Sequence, residues 1–114
     1  MLEKQFQKRV KDFLDILPNS WFFQTVERSQ RGIPDIVGHI NGHFFALELK
    51  RSIKTKSGSR KLQEYNIAKI DRTGAYGMVV APENWDLVQS VLIVFSRGRN
   101  VSKSVVDKGF RGAS

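Results

Sequence analysis

The sequence predicts an α/β protein in which a small mixed β-sheet is flanked by helices, with a core order of α-β-β-β-α-β. Three observations predict this class. An amphipathic segment opens the chain, an Asn-Gly pair joins two apolar runs, and helix-like and strand-like segments then alternate as far as Phe95. No apolar stretch of about 18 residues is present, so no membrane span is expected.

The first two elements follow from hydrophobic spacing and residue type. Apolar residues recur every three or four positions from Leu2 to Leu17, which predicts a helix that Pro18 ends. Residues 21–26 are aromatic or β-branched at most positions, which favours a strand. We expect the large aromatic residues of the chain to belong to the core and not to form a surface on which bases stack; these are Trp21, Phe22, Phe23, Phe44, Phe45 and Trp85.

The clearest local signal is a β-hairpin. Ile33–Ile40 and His43–Lys50 are strand-like runs separated by Asn41-Gly42. Both positions of a type I′ turn need a positive φ, which Asn and Gly adopt most readily. A two-residue turn places Ile40 opposite His43 and therefore fixes the register of the whole hairpin.

The remaining segments complete the order. A basic Gly/Ser-containing loop precedes a helix from Arg60 to Thr73, which Gly74 ends, and Tyr76–Ala81 is predicted as a buried strand. Residues 85–95 suit either a helix or a strand, and we prefer the helix. Residues 1–96 are predicted to form one domain, and residues 97–114 a basic extension with a possible short strand at Val101–Val106.

The hairpin register brings charged residues together. It places Asp35 opposite Glu48 and Ile33 opposite Lys50, and alternation along the strands puts all three charged side chains on one face. The β-carbons of the two carboxylates are then roughly 5 Å apart, where like charges destabilise a sheet. A divalent cation removes that repulsion, and Mg²⁺ or Mn²⁺ suits a site of one or two carboxylates.

Metal-assisted hydrolysis of a phosphodiester fits this arrangement, with Asp35 and Glu48 as metal ligands and Lys50 assisting the attacking water. The plain alternative is structural: Glu-x-Lys pairs are common on solvated strand edges, and Asp35 would then only cap the turn after Pro34. We favour the catalytic interpretation because the Asn-Gly turn is an independent feature and sets the register.

The charge balance points to a polyanionic partner. The chain has 19 Lys and Arg against 11 Asp and Glu, a net charge of +8, and such an excess is typical of proteins that bind nucleic acids. We expect a DNA-binding surface beside Lys50, formed by residues that contact the phosphate backbone but read no bases: Arg28, Arg31, Arg51, Lys54, Lys56, Arg60 and Lys61. The absence of an export signal suggests a cytoplasmic protein.

The segment Arg31–Gly38, together with Ala46–Lys50 and Leu62-Gln63, resembles the VRR-NUC branch of the PD-(D/E)XK nucleases, which is similar to archaeal Holliday-junction resolvases. The resemblance spans roughly residues 3–83. It implies a restriction-endonuclease-like core, a further metal ligand at Glu3, a supporting catalytic residue at Gln63, and a stand-alone domain of phage type. The basic loop of residues 51–60 is longer than a tight connection needs, which departs from the pattern.

The resemblance implies a Mg²⁺-dependent endodeoxyribonuclease that acts on branched or junction DNA as a homodimer. We expect the apolar segment Trp85–Phe95 to supply the dimer interface. Two alternatives stay open: a sequence-specific homing or restriction-type endonuclease, and a non-catalytic DNA-binding module of the same fold.

Overall fold

The computed structural model describes residues 3–26, 32–52 and 60–98, and for Glu3, Arg60, Lys61 and Gln63 it describes the backbone alone. Within these ranges the elements follow the order α-β-β-β-α-β-α, which confirms the predicted class. They are α1 (Glu3–Ile16), β1 (Ser20–Gln24), β2 (Ile36–Ile40), β3 (His43–Leu49), α2 (Arg60–Arg72), β4 (Tyr76–Val80) and α3 (Trp85–Ser96). The predicted strand at 101–106 lies outside the described residues, as does nearly all of the C-terminal extension.

The four strands form one mixed sheet in the order β1-β2-β3-β4. The strand β2 runs antiparallel to both β1 and β3, and β4 runs parallel to β3. Ile40 pairs with His43 and Ile36 with Leu47, so the predicted hairpin register is confirmed. The turn has the backbone that its sequence predicts, with φ of 51° at Asn41 and 85° at Gly42.

The strand β2 is shorter than predicted, because its ladder begins at Ile36 and not at Ile33. Pro34 lies among the three predicted strand residues that do not join the ladder, and it has no backbone N–H to donate to a neighbouring strand. The pairing with β1 nevertheless reaches one residue beyond the ladder, since the N–H of Thr25 donates to the carbonyl oxygen of Asp35 at 2.8 Å. Asp35 therefore has a fixed backbone although it lies outside the strand.

The helices α1 and α3 share one face of the sheet and form the larger core with it. Trp85 of α3 makes edge-to-face ring contacts with Phe6 and Phe13 of α1, with centroid distances of 6.0 and 5.3 Å. The apolar residues of α3 are buried in this core: Trp85, Val88, Val91, Leu92 and Phe95. The prediction that α3 supplies a dimer interface is therefore wrong, because its apolar side already packs within the same chain.

The helix α2 lies on the opposite face and packs over β3 and β4. Its Ile67 is buried with Ala46 of β3 and Val79 of β4. The fit is close, since a β-carbon added to Gly77 of β4 would lie 2.5 Å from the carbonyl oxygen of Ile67. On this face α2 leaves the strands β1 and β2 largely uncovered.

The aromatic residues of β1 contradict the prediction that all of them lie in the core. Phe45 and Trp85 are buried, but Trp21 is 62% exposed and Phe23 47% exposed. Both lie on the edge strand, on the sheet face that carries α2 but beyond the strands β3 and β4 that α2 covers, so no element of the described chain covers them. In the described part of the chain, no helix has the length and apolar character needed to cross a membrane.

Candidate functional site

Asp35 is held in place by its two neighbouring strands. Thr25, just after β1, donates its backbone N–H to the carbonyl oxygen of Asp35 at 2.8 Å, and its Oγ1 donates to the carbonyl oxygen of Pro34 at 2.5 Å. From β3, the backbone N–H of Leu49 donates to Oδ2 of Asp35 at 2.8 Å. The carboxylate is thus fixed against the end of β3, next to the residue that precedes Leu49.

That residue is Glu48, whose side chain is buried at 1% exposure in an otherwise apolar strand. Its Oε2 lies 3.4 Å from the Nζ of Lys50, and the side chain of Lys50 is itself only 11% exposed. The other oxygen, Oε1, is buried and accepts no hydrogen bond from the described residues. A buried carboxylate oxygen without a donor is costly, and its presence in a native site calls for an explanation.

The burial of Glu48 also changes the pKa of its carboxyl group. Burial, and then the negative charge of Asp35, raise the pKa of Glu48 from 4.5 to about 8, although the ammonium group of Lys50 opposes the shift. Burial and the neighbouring carboxylate therefore favour the protonated form of Glu48 at neutral pH when no further cation is present. Asp35, Glu48 and Lys50 thus lie close together in the structure, as the hairpin register predicts.

The donor set fits a hard divalent cation. The carboxyl groups of Asp35 and Glu48 are close enough to interact, and Glu48 has one buried oxygen, Oε1, that accepts no hydrogen bond from the described residues. Among the described residues, no cluster of three or more His, Asp or Glu side chains is present. Mg²⁺ does not require one, because it binds through one or two carboxylates and completes its shell with water and substrate phosphate oxygens.

Several predicted site residues cannot be judged from the described side chains. Glu3 is the first residue of α1 and Gln63 lies in the first turn of α2, each described by its backbone alone. Of the predicted DNA-binding residues, Arg51 is exposed directly after Lys50, while Arg60 and Lys61 open α2. The remaining four lie outside the described residues: Arg28, Arg31, Lys54 and Lys56.

The structure adds a supporting contact that the sequence interpretation missed. Gly32 has a φ of 76°, and its carbonyl oxygen accepts a hydrogen bond of 2.6 Å from Nδ2 of Asn66 on α2. A β-carbon at Gly32 would lie 2.6 Å from Cγ of Leu62, one helical turn before Asn66. The contact joins α2 to the segment that leads into Asp35. The glycine next to the Pro34-Asp35 pair was the available signal, but its partner on α2 depends on the tertiary fold.

Comparison with known proteins supports the fold. A solved structure titled "VRR_NUC domain" superposes with a TM-score of 0.60 at 22% sequence identity, covering 79% of this chain and 92% of that chain. No family model matches the sequence, and neither does any curated protein. The chain thus has a VRR_NUC-like fold, a mixed α/β architecture with a four-stranded sheet flanked by helices.

Proposed function

We propose that the chain is a Mg²⁺-dependent endodeoxyribonuclease of the PD-(D/E)XK class that hydrolyses phosphodiester bonds, with a preference for branched or junction DNA. Its fold is similar to that of a structure titled "VRR_NUC domain". Its charge of +8 suits a polyanionic substrate. The proposal assigns metal binding to Asp35 and Glu48, with Glu3 as a further ligand, and catalytic support to Lys50 and Gln63.

The observation that carries the proposal is the state of Glu48. A glutamate at 1% exposure, with one oxygen lacking a hydrogen-bond donor and a second carboxylate beside it, reduces the stability of the fold. A structural role does not account for that cost, since an apolar residue would fill the position in β3 more favourably. Binding a divalent cation does account for it, because the cation supplies the positive charge that the two carboxylates lack.

Each residue then has a defined part in the reaction. Asp35 and Glu48 would hold the divalent ion, which would supply Lewis-acid polarisation of the phosphate and lower the pKa of a bound water. Lys50 places a positive charge 3.4 Å from Glu48 Oε2, where it orients the attacking water and stabilises the charge that develops on the phosphate. Thr25 and the N–H of Leu49 hold Asp35 in the geometry that the reaction needs.

The preference for branched DNA rests on the basic residues near the site. Arg51 is exposed beside Lys50, and Lys54, Lys56, Arg60 and Lys61 follow it in the sequence. Such residues contact phosphates and carry no sequence information, which favours recognition of DNA shape. Mn²⁺ is expected to replace Mg²⁺. A homodimer and a phage origin remain predictions, and a dimer would use a surface other than α3.

Cleavage of labelled DNA tests the proposal. A four-way junction, a flap and the matching linear duplex are incubated with the protein in Mg²⁺ and in EDTA. We expect metal-dependent cutting of the branched substrates, lost in Asp35→Asn and reduced at least about a hundredfold in Lys50→Ala. Lys8→Ala on α1, which packs on the opposite face of the sheet, is the lysine control for Lys50 and should cut as the wild type does.

Each alternative gives a different outcome. Cutting of linear duplex at a defined sequence would replace the junction preference with a homing or restriction-type activity. Binding of DNA without cutting in Mg²⁺ or Mn²⁺ would identify a non-catalytic module and overturn the enzyme proposal. Thermal unfolding of each variant shows whether loss of activity reflects loss of the fold.

A further inference from the structure

The edge strand β1 exposes two large aromatic residues side by side. Trp21 and Phe23 are 62% and 47% exposed, and their ring centroids are 5.5 Å apart with the planes tilted by 52°. Phe22 between them points to the other side of the sheet, where it packs against the larger core. Residues of this size are usually buried, and a contiguous exposed aromatic patch commonly marks a binding surface.

This aromatic pair shares its sheet face with the candidate site. Trp21 pairs with His39, which pairs with Phe44, and Phe23 pairs with Val37, which pairs with Ala46. Paired residues of neighbouring strands point to the same face, and Glu48 lies two positions after Ala46 on it. At strand spacing and rise, Phe23 is roughly 10–15 Å from the carboxylates across this face.

A cleft of about 310 Å³ lies between α2, the residues that precede β2 and Phe44 of β3. Its lining is mostly apolar with a few polar groups, as is usual for small-molecule sites: Ile33, Pro34, Phe44, Asn66, Lys69, Ile70 and Thr73. Phe44 joins the cleft to the exposed face, because its ring meets that of His39 edge to face at 5.6 Å. Pro34 joins the cleft to the site, because it directly precedes Asp35.

We propose that this surface binds an unpaired DNA strand, with bases stacked on Trp21 and Phe23 and one base entering the cleft beside Lys69. We call it the base-stacking face, formed by Trp21, Phe23, His39, Phe44 and the cleft. Aromatic side chains on an uncovered sheet suit bases of any sequence, because every base has a π-face. The inference rests on the proposed function, for which it specifies DNA with a single-stranded segment as the substrate class.

Charge and position favour a DNA strand over a second copy of the chain. At a net charge of +8, two copies repel each other, whereas DNA is attracted. The ammonium group of Lys69 at the cleft suits a phosphate beside a stacked base. The face and the carboxylates lie on the same side of the sheet, so a strand bound at Asp35 can continue onto this face.

Tryptophan fluorescence tests the inference without requiring catalysis. The chain has two tryptophans, and only Trp21 is exposed, since Trp85 is 2% exposed. In EDTA, an oligo-dT strand should quench the wild-type emission, and Trp21→Phe should lose the quench while keeping most of the affinity. Trp21→Ala and Phe23→Ala should each weaken binding of oligo-dT about tenfold, with a much smaller effect on the matched duplex.

Two exposed apolar residues elsewhere provide matched controls. Ile16→Ala at the end of α1 and Leu87→Ala on α3 remove exposed apolar surface away from this face and should bind oligo-dT as the wild type does. Lys69→Ala should weaken binding and reduce its dependence on salt. Wild-type affinity for oligo-dT in the double variant Trp21→Ala/Phe23→Ala would overturn the inference. Conversion of a dimer to a monomer by the double variant in sedimentation, with unchanged binding of oligo-dT, would also overturn it and assign the face to self-association.

The inference and the proposed function fail separately. If the aromatic variants leave metal-dependent cutting unchanged on flaps and on duplex, the base-stacking face is refuted and the nuclease proposal stands. If oligo-dT quenches the emission but no metal-dependent cutting occurs, the base-stacking face stands and the nuclease proposal is refuted.

Discussion

Glu48 combines burial, a neighbouring carboxylate and a free acceptor oxygen, and these make its protonation the most informative property of the site. In the folded protein its pKa is raised to about 8 from 4.5. Between these pH values the unfolded chain has lost the proton while the folded chain retains it. By linkage, the contribution of Glu48 to stability is complete at low pH and is lost as pH rises through about 8.

We therefore expect the metal-free protein to become less stable as pH rises from about 5 to about 8, by up to about 1.4 kcal/mol per pH unit. Glu48→Gln keeps the shape of the side chain but does not ionise, so it should remove this slope and be more stable than the wild type at pH 8. Urea unfolding in EDTA at several pH values measures both effects. Glu64→Gln on α2 is the isosteric control and should keep the slope. A wild-type stability that is flat over this range would show that Glu48 is not buried beside Asp35 as described.

The packing of α2 against the segment before Asp35 depends on one glycine. Gly32 combines a φ of 76° with a position where a β-carbon would lie 2.6 Å from Cγ of Leu62 and 2.7 Å from Nδ2 of Asn66. Gly32→Ala adds both backbone strain and overpacking, and we expect a loss of about 2–3 kcal/mol in the free energy of unfolding. Gly74→Ala is the matched control, because Gly74 has a φ of 101° but open space around its α-carbon.

The comparison of the two variants isolates the steric contact. Gly74→Ala should lose only about 1 kcal/mol, from backbone strain alone. Gly32→Ala should also shift Asp35 and thus lower the cleavage rate under conditions where the protein remains folded. Equal losses of stability in the two variants, measured by urea unfolding, would refute the close contact between α2 and Gly32.

Local chemistry explains which parts of this architecture are predictable from the sequence. The Asn41-Gly42 turn determines the hairpin register, and the register brings Asp35 to Glu48, so the centre of the site follows from a two-residue signal. The end of α2 follows from Gly74, and the helical state of α3 is consistent with its hydrophobic spacing.

The remaining features depend on which element covers which surface. Trp21 and Phe23 have the residue types of a core, and their exposure follows only from the position of α2 over β3 and β4. For α3 the sequence suggests an exposed apolar surface, whereas its apolar residues are covered by α1 and the sheet. The burial of Glu48 and the Gly32–Asn66 contact are likewise tertiary, because they join segments that no local pattern relates.

The molecule as a whole has two ends that should differ in their contribution to DNA binding. Arg51 is exposed where β3 ends beside the carboxylates, and Arg97 is exposed where α3 ends beside the hairpin turn. Along β2 the two ends are separated by roughly 17 Å, from Asp35 to Ile40 at strand rise. At physiological ionic strength the screening length is about 8 Å, so a phosphate at the site interacts with Arg51 and is screened from Arg97.

Salt titration of DNA binding tests this asymmetry. Each phosphate contact releases condensed counterions, so the logarithm of the association constant falls linearly with the logarithm of salt concentration. Arg51→Ala should reduce the slope by about one contact and weaken binding of branched and linear DNA alike. Arg97→Ala makes the same change in net charge and should leave the slope near that of the wild type. Equal slopes in the two variants would mean that DNA responds to the net charge of the chain and not to a surface beside Asp35 and Glu48, and the location of the DNA-binding surface would have to be revised.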